Sequence, residues 1–125
     1  KPPTTPPVSD AYFSTVEVSR KKARDEAIEV LNAVVRNDKA TEDVKAQAMQ
    51  ELQALAKDME KEANIESLLQ GKGFAKCLAV INGDNANIVV QNKGALQPAQ
   101  LAQINAVVFE QTGIQPSNIT IVQKD

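Results

Sequence analysis

The chain has 125 residues, is 42% hydrophobic but only 3% aromatic, and carries a formal net charge of −2 without any histidine. This length allows one compact domain with an extension, whose core must be filled by aliphatic side chains. The small net charge gives no electrostatic basis for binding nucleic acid or acidic lipid. The lack of histidine removes the commonest general base and metal ligand.

Residues 1–8 form a proline-rich lead, with four prolines in the first seven positions. Such a run favours extended polyproline II structure without buried contacts, so we expect a linker. A fragment end without a role is the alternative. The first residue is Lys and not Met, which we interpret as a piece of a longer protein.

Residues 9–40 are predicted to form an N-terminal helical extension. Ser9 and Asp10 can accept hydrogen bonds from the free amides of a helix start. Apolar residues then recur at helical spacing, although the first turns also suit an extended segment. The basic cluster 20–24 and the acidic residues after it are interpreted as a solvated helix face. The apolar stripe consists of Phe13, Val16, Ala23, Ala27, Leu31 and Val34.

A second long helix is predicted from Thr41 to Gln70. Thr41 suits the N-cap, the acidic residues that follow suit the positive end of the helix dipole, and Gly71 supplies the stop. The short connection makes the two helices antiparallel neighbours. Their apolar stripes therefore face each other or a shared core.

A β-hairpin follows, with strands predicted at 74–81 and 86–91. Asn82 and Gly83 tolerate positive φ and favour a hairpin loop. Both faces of the first strand are mostly apolar, so we expect that strand to be central and covered on both sides. Cys77, which alternates with alanines, is interpreted as a buried small hydrophobe rather than a reactive thiol.

The last third predicts a helix from Pro98 that ends at Thr112-Gly113-Ile114, and a strand at 119–122. The fold class is therefore α+β, with a helical N-terminal half and a three-stranded sheet. A right-handed crossover that passes over one strand would place the last strand beside 74–81. Residues 41–125 then form one α/β domain with the 74–81 strand in its centre.

Catalytic, cofactor-binding and metal-binding residues are not predicted. The sequence has no Ser–His or Cys–His pairing, no clustered metal ligands and no acid pair in an apolar setting. The expected class is a non-enzymatic interaction domain on a tether.

The segment from Gly73 to Val122 is similar in its motifs to a known protein family. A strand–Asn-Gly–strand unit, a Pro/Gln-led helix that ends in Thr-Gly-Ile, and the segment Pro-x-Asn-Ile-x-Ile resemble the stage III sporulation protein AH family of endospore-forming bacilli. The αββαβ order is also similar to the ring-building fold of type III secretion and flagellar ring proteins. The resemblance implies that residues 41–125 adopt a ring-building-like fold.

The resemblance implies a structural role and no cofactor. Members of that family are expected to be single-pass proteins of the mother-cell membrane, with this domain in the space between mother cell and forespore. The implied partners are stage II sporulation protein Q, with which a zipper or channel-like ring forms, and other stage III sporulation A proteins. A secretion or flagellar ring subunit and a helical adaptor with its surface in residues 20–62 are the alternatives.

The candidate partner-binding residues lie on the two strands that this topology makes the sheet edges. Monomeric proteins usually protect edges with charge or proline, and neither strand has any. Unprotected edges suit strand addition by a partner, unless a helix or the N-terminal segment covers one of them. The candidates are Asn87, Ile88, Val89, Val90, Gln91, Ile119, Thr120, Ile121 and Val122.

Overall fold

The structure is a computed structural model that describes residues 8–92 and 94–124. Its elements follow the predicted order of two helices, two strands, a helix and a strand. Their bounds are α1 Val8–Arg36, α2 Glu42–Gly71, β1 Cys77–Asn82, β2 Asn85–Gln91, α3 Pro98–Thr112 and β3 Ile119–Lys124, with a 3-10 turn at Pro116–Asn118 before β3. The α+β class is confirmed. The predicted proline-rich linker lies almost entirely outside the described residues.

The helices α1 and α2 form an antiparallel hairpin, as predicted. The hydroxyl oxygen of Thr41 accepts a hydrogen bond from the Val44 amide at 3.3 Å and caps α2. Glu42 and Asp43 lie in the first turn, where negative charge is favoured by the helix dipole. Helix α1 is continuous from Val8, so the extended alternative for its first turns is wrong.

Helix α3 begins and ends where its sequence signals lie. Pro98 occupies its first turn. The Gln97 amide donates to Gln100 Oε1 at 2.8 Å, and the Gln100 amide donates to the Gln97 carbonyl at 2.9 Å. Gly113 has a left-handed φ of 75° and its amide donates to the Phe109 carbonyl, which closes the last turn. Ile114 then packs into the core, as the glycine stop predicts.

The strand order is β1-β2-β3, so the predicted central position of strand 74–81 is wrong. β2 pairs with β1 antiparallel and with β3 parallel, which makes β2 the central strand. The β2-α3-β3 crossover joins neighbouring strands and skips none. The two apolar faces of β1 have another cause, because helix α1 covers one of them.

Two hydrophobic clusters lie on opposite faces of the sheet. Cys77, Ala79 and Ile81 of β1 point with alternate residues of β2 toward α2 and α3. Leu78 and Val89 point to the other face, where the N-terminal part of α1 covers them with Phe13. This alternation follows the two-residue period of a β-strand. The first cluster contains Ile65, Leu69, Phe74, Cys77, Ala79, Ile81, Ala86, Ile88, Val90, Ile104, Val107, Val108 and Ile114.

Helix α1 therefore has two packing partners. Its first turns lie on the sheet, and its later turns lie against α2. The division of the chain at residue 41 into an extension and a domain stays a prediction. Within the described ranges, no helix has the length and apolar character needed to cross a membrane.

Candidate functional site: the two edges of the sheet

The nine candidate residues fall on two strands with different positions in the sheet. Asn87–Gln91 lie on β2, which is hydrogen-bonded on both sides. Their interpretation as an edge is wrong, because the crossover places β3 against β2 and not against β1. Ile119–Val122 lie on β3, which has β2 on one side only and forms a true edge. The other edge of the sheet is β1.

The β1 edge is closed by side chains from α1 and α2. The Ala79 amide donates to Glu66 Oε2 at 2.8 Å, and the Ile81 amide donates to Glu62 Oε2 at 2.6 Å. Arg20 Nη1 donates to the Ala79 carbonyl at 2.6 Å. These backbone groups are the ones that an added strand would need. Side chains of two helices therefore protect an edge that the sequence analysis had placed in the centre of the sheet.

The side chains that close β1 form a network of two arginines and two glutamates. The guanidinium of Arg24 donates two hydrogen bonds, one to each carboxylate oxygen of Glu62, in a bidentate ion pair. Arg20 donates to Glu62 at 3.4 Å and to Glu66 at 3.1 Å. Glu62 is 2% exposed. The hydrogen bond to Glu62, opposed by burial, raises the pKa of Arg24, so the guanidinium stays charged.

The prediction of a solvated face for residues 20–24 is thus wrong for Arg20 and Arg24. Lys21 fits it, since it pairs with Asp25 in solvent at 2.9 Å. Helical spacing could have predicted this network. Arg20 and Arg24 lie on the same face of α1 as its apolar stripe. Glu62 and Glu66 lie in the same way on the apolar face of α2. Two basic residues opposite two acidic residues in antiparallel helices indicate a cross-helix network.

Two further titratable groups lie beside this network. Burial and the neighbouring Glu62 raise the pKa of Asp58, one turn before Glu62 on α2. Burial, and to a lesser extent Glu66, raises the pKa of the Cys77 thiol to about 11. Cys77 donates to the Glu66 carbonyl at 3.4 Å and belongs to the core. Its prediction as a buried, unreactive residue is confirmed in its burial.

The β3 edge differs from the β1 edge in the hydrogen bonding of its backbone. The Asn92 amide donates to the Lys124 carbonyl at 2.9 Å, which shows that the backbone of Lys124 faces β2. Successive residues of a strand direct their backbone groups to alternate sides. The backbone amides and carbonyls of Ile119, Ile121 and Gln123 therefore point away from β2. The Ile119 amide bonds to the Pro116 carbonyl. Among the described residues, no group bonds to the outward amides of Ile121 and Gln123.

The side chains of β3 are half-buried, except that of Thr120, which is exposed. Ile119 and Ile121 pack against the main core, and Val122 packs against the Phe13 cluster. Lys124 lies over the Tyr12 ring at 4.4 Å, so the start of α1 reaches the far end of β3. A strand beside β3 would extend both apolar faces.

A groove of about 470 Å³ lies between α1, α2 and β1, and it offers no catalytic arrangement. Its charged residues are Arg20, Arg24 and Asp58, of which the arginines are engaged in the network. In the part of the chain that the structure describes, no three Cys, Asp or Glu side chains are placed to hold a metal ion.

Comparison with known sequences identifies relatives of the chain. Residues 4–121 match the family of SpoIIIAH-like proteins. The stage III sporulation protein AH of Bacillus subtilis (strain 168) is 30% identical over 106 residues, which is 85% of this chain. The matched region spans 49% of that relative's length.

Two solved structures have a similar fold. One chain of the SpoIIQ–SpoIIIAH pore-forming complex is 25% identical and superposes with a TM-score of 0.82, covering 90% of this chain and 96% of its own length. The type III secretion protein EscJ of enteropathogenic Escherichia coli gives a TM-score of 0.50 at 25% identity, covering 83% of this chain and 70% of its own. The likeness to both supports the predicted ring-building-like fold.

Proposed function

This chain belongs to the SpoIIIAH-like family, and we propose on that premise that it is a structural component of a sporulation complex that binds a SpoIIQ-type protein. The observation that carries the proposal is the fold match at a TM-score of 0.82 to a chain of the SpoIIQ–SpoIIIAH complex. The role is assembly and not catalysis.

The setting of this role is part of the proposal. We place the domain outside the cytoplasm, in the space between mother cell and forespore, on a protein anchored in the mother-cell membrane. There its contact with the SpoIIQ-type partner would join the two membranes as a zipper or a channel-like ring. Other stage III sporulation A proteins are further partners. Support comes from the family and from the complex that contains the similar chain.

A ring subunit of a secretion system is a second candidate function. The observation that favours it is the likeness in fold to EscJ, a type III secretion system protein, over 83% of this chain. The weaker match and the family membership rank it below the sporulation role. A ring subunit would contact copies of itself by two different surfaces. The two functions differ in whether the first tight partner is SpoIIQ or a second copy of this chain.

The test is a binding experiment with the SpoIIQ-type protein of the same organism. The chain, immobilised through its N-terminus, should retain the SpoIIQ domain on a column and release it on competition with free chain. A variant with the substitution Phe109→Ala, which trims an exposed side chain of α3 and leaves the sheet unchanged, should retain it equally. Failure of SpoIIQ to bind would overturn the proposed function.

A further inference from the structure

The antiparallel hairpin of α1 and α2 lacks a third layer over much of its length. Between residues 24 and 60, Ala48 is the one buried residue, and the apolar stripes of both helices stay half-buried. Val30 and Val44 are 63% and 47% exposed. Apolar helix faces are normally covered by another element of the core. This part of the α1–α2 hairpin therefore has an apolar side that the described chain leaves uncovered.

The groove between α1, α2 and β1 continues into this apolar side. It measures about 470 Å³. Helical spacing extends both of its walls toward the tip of the α1–α2 hairpin, because Val30 follows Ala23 by seven residues and Val44 precedes Leu55 by eleven. The apolar residues that line the groove are Val16, Ala23, Ala27, Leu55, Val80 and Ile81.

Asp58 is the charged residue of this groove that lacks a counter-ion. The two arginines that also line the groove are engaged by Glu62 and Glu66. Asp58 is half-buried, and no group of the described chain forms a hydrogen bond or an ion pair with it. Burial, and then Glu62, raises the pKa of Asp58, so its carboxylate destabilises the fold at neutral pH. Residues that cost stability in the free protein are typical of functional surfaces.

We propose that this groove docks a basic amphipathic helix of another protein, with apolar side chains between the α1 and α2 walls and a lysine or arginine beside Asp58. Two helical walls suit a helix better than a strand, because the backbone amides of the adjacent β1 edge are already bonded to side chains. The α1 wall rises about 27 Å from Val16 to Val34, which a helix of about 18 residues would span. The inference goes beyond the proposed function, since it adds a contact separate from that with the SpoIIQ-type protein.

The charge of the groove disfavours a second copy of this chain as the occupant. In a two-fold dimer the same patch contributes both sides of the interface. Such a dimer would bring together two copies of Asp58 and of Glu51, which lies seven residues earlier on the same face of α2. Arg20 and Arg24 are committed to their glutamate partners and cannot compensate these acids. Like charges across an interface are unfavourable, whereas a basic helix supplies the missing counter-ion.

Titration of the chain with a synthetic helical peptide, followed by NMR, tests the groove. The probe has about 18 residues, with leucines at every third or fourth position and lysines beside them, and the control peptide has glutamates in place of the lysines. We expect the lysine peptide to shift the signals of Ala23, Ala27 and Val80 and to bind at least about tenfold more tightly than the control. Absence of binding, equal affinity of both peptides, or shifts confined to other surfaces would overturn the inference.

Asp58→Asn separates a docking role of this residue from a packing role. The variant should be more stable than the parent chain at neutral pH and yet bind the lysine peptide at least about fivefold more weakly. Glu60→Gln removes an exposed acid from the opposite side of α2 and should bind as the parent chain does. Unchanged affinity of Asp58→Asn, or an equal loss in Glu60→Gln, would overturn the inference.

Two further outcomes distinguish the occupant from other partners. Addition of the SpoIIQ-type domain should leave the peptide bound, and displacement of the peptide would show that the groove belongs to that interface and would overturn the inference while supporting the proposed function. Concentration-dependent shifts of Ala23 and Ala27 in the chain alone would identify a second copy as the occupant and would also overturn it. Peptide binding without any binding of the SpoIIQ-type domain would overturn the proposed function alone.

Discussion

At the scale of single residues, a few contacts hold helix α1 on the face of the sheet that it covers. Leu78 is 4% exposed and packs with Phe13 and Val89, which ties β1 and β2 to helix α1. Val80 lies on the same face and is less deeply buried. The cluster is small, so each of its members contributes a large share of the free energy that holds α1 on the sheet.

Leu78→Ala should therefore lower the free energy of unfolding by about 2–5 kcal/mol, the usual cost of removing a buried leucine side chain. Val80→Ala should act in the same direction with a smaller loss. Urea unfolding followed by circular dichroism measures both. An unchanged transition for Leu78→Ala, together with weaker partner binding, would show that this face is an interface in the complex and not part of the folded core.

Asp58 gives a pH-dependent prediction. Because its pKa is raised in the folded state, mainly by burial and then by Glu62, folding favours the protonated carboxyl. The stabilisation from this group is present below its unfolded pKa, near 4, and is lost as pH rises through the folded pKa. Asp58→Asn should thus raise the melting temperature at pH 7, and the gain should shrink toward zero below pH 4. A gain that is equal at both pH values would contradict this assignment.

At the scale of elements, the arginine–glutamate network connects both long helices to one strand. Glu62 is the central member, since it contacts Arg20, Arg24 and the Ile81 amide. Removing one partner of a buried pair leaves the other charge uncompensated in the interior. We therefore expect the loss of one member to lower the free energy of unfolding by more than the intact ion pairs add to it.

Glu62→Ala should lower the free energy of unfolding by about 3–5 kcal/mol, because it leaves Arg24 buried without its counter-ion. Glu60→Ala is the matched control on the exposed side of the same helix and should change it by at most about 0.5 kcal/mol. Chemical denaturation of both variants measures the difference. Similar stabilities would show that solvent replaces Glu62 beside Arg24.

The elements themselves were largely predictable from sequence, and the order of the strands was not. Local signals fixed the helix ends: the Thr41 cap, Pro98 and Gly113 all act as their chemistry predicts. The sheet order depends on long-range contacts. The two apolar faces of β1 are compatible with a central strand and equally with an edge strand covered by α1, and periodicity alone does not distinguish these. The burial of Arg20 and Arg24 was missed although helical spacing places both on the apolar stripe of α1, and their exact partners depend on where α1 meets α2 and β1.

At the scale of the whole molecule, the candidate interface changed with the strand order. The sequence predicted two open edges, on 86–91 and on 119–122. In the fold, one of these strands is central, the other is an edge to which residues 8–92 and 94–124 add no further strand, and the second edge is closed by side chains. A domain with one open edge can bind one strand without forming an extended sheet.

The most direct test of the central claim is sedimentation velocity of the chain alone and mixed with the SpoIIQ domain at micromolar concentrations. Outside a membrane, the chain lacks the high effective concentration that confinement gives, so it should sediment as a monomer on its own. Addition of SpoIIQ should convert it to a single 1:1 species that saturates at equal molar amounts. A tight, concentration-independent dimer of the chain alone, or unchanged sedimentation of both proteins in the mixture, would contradict the account.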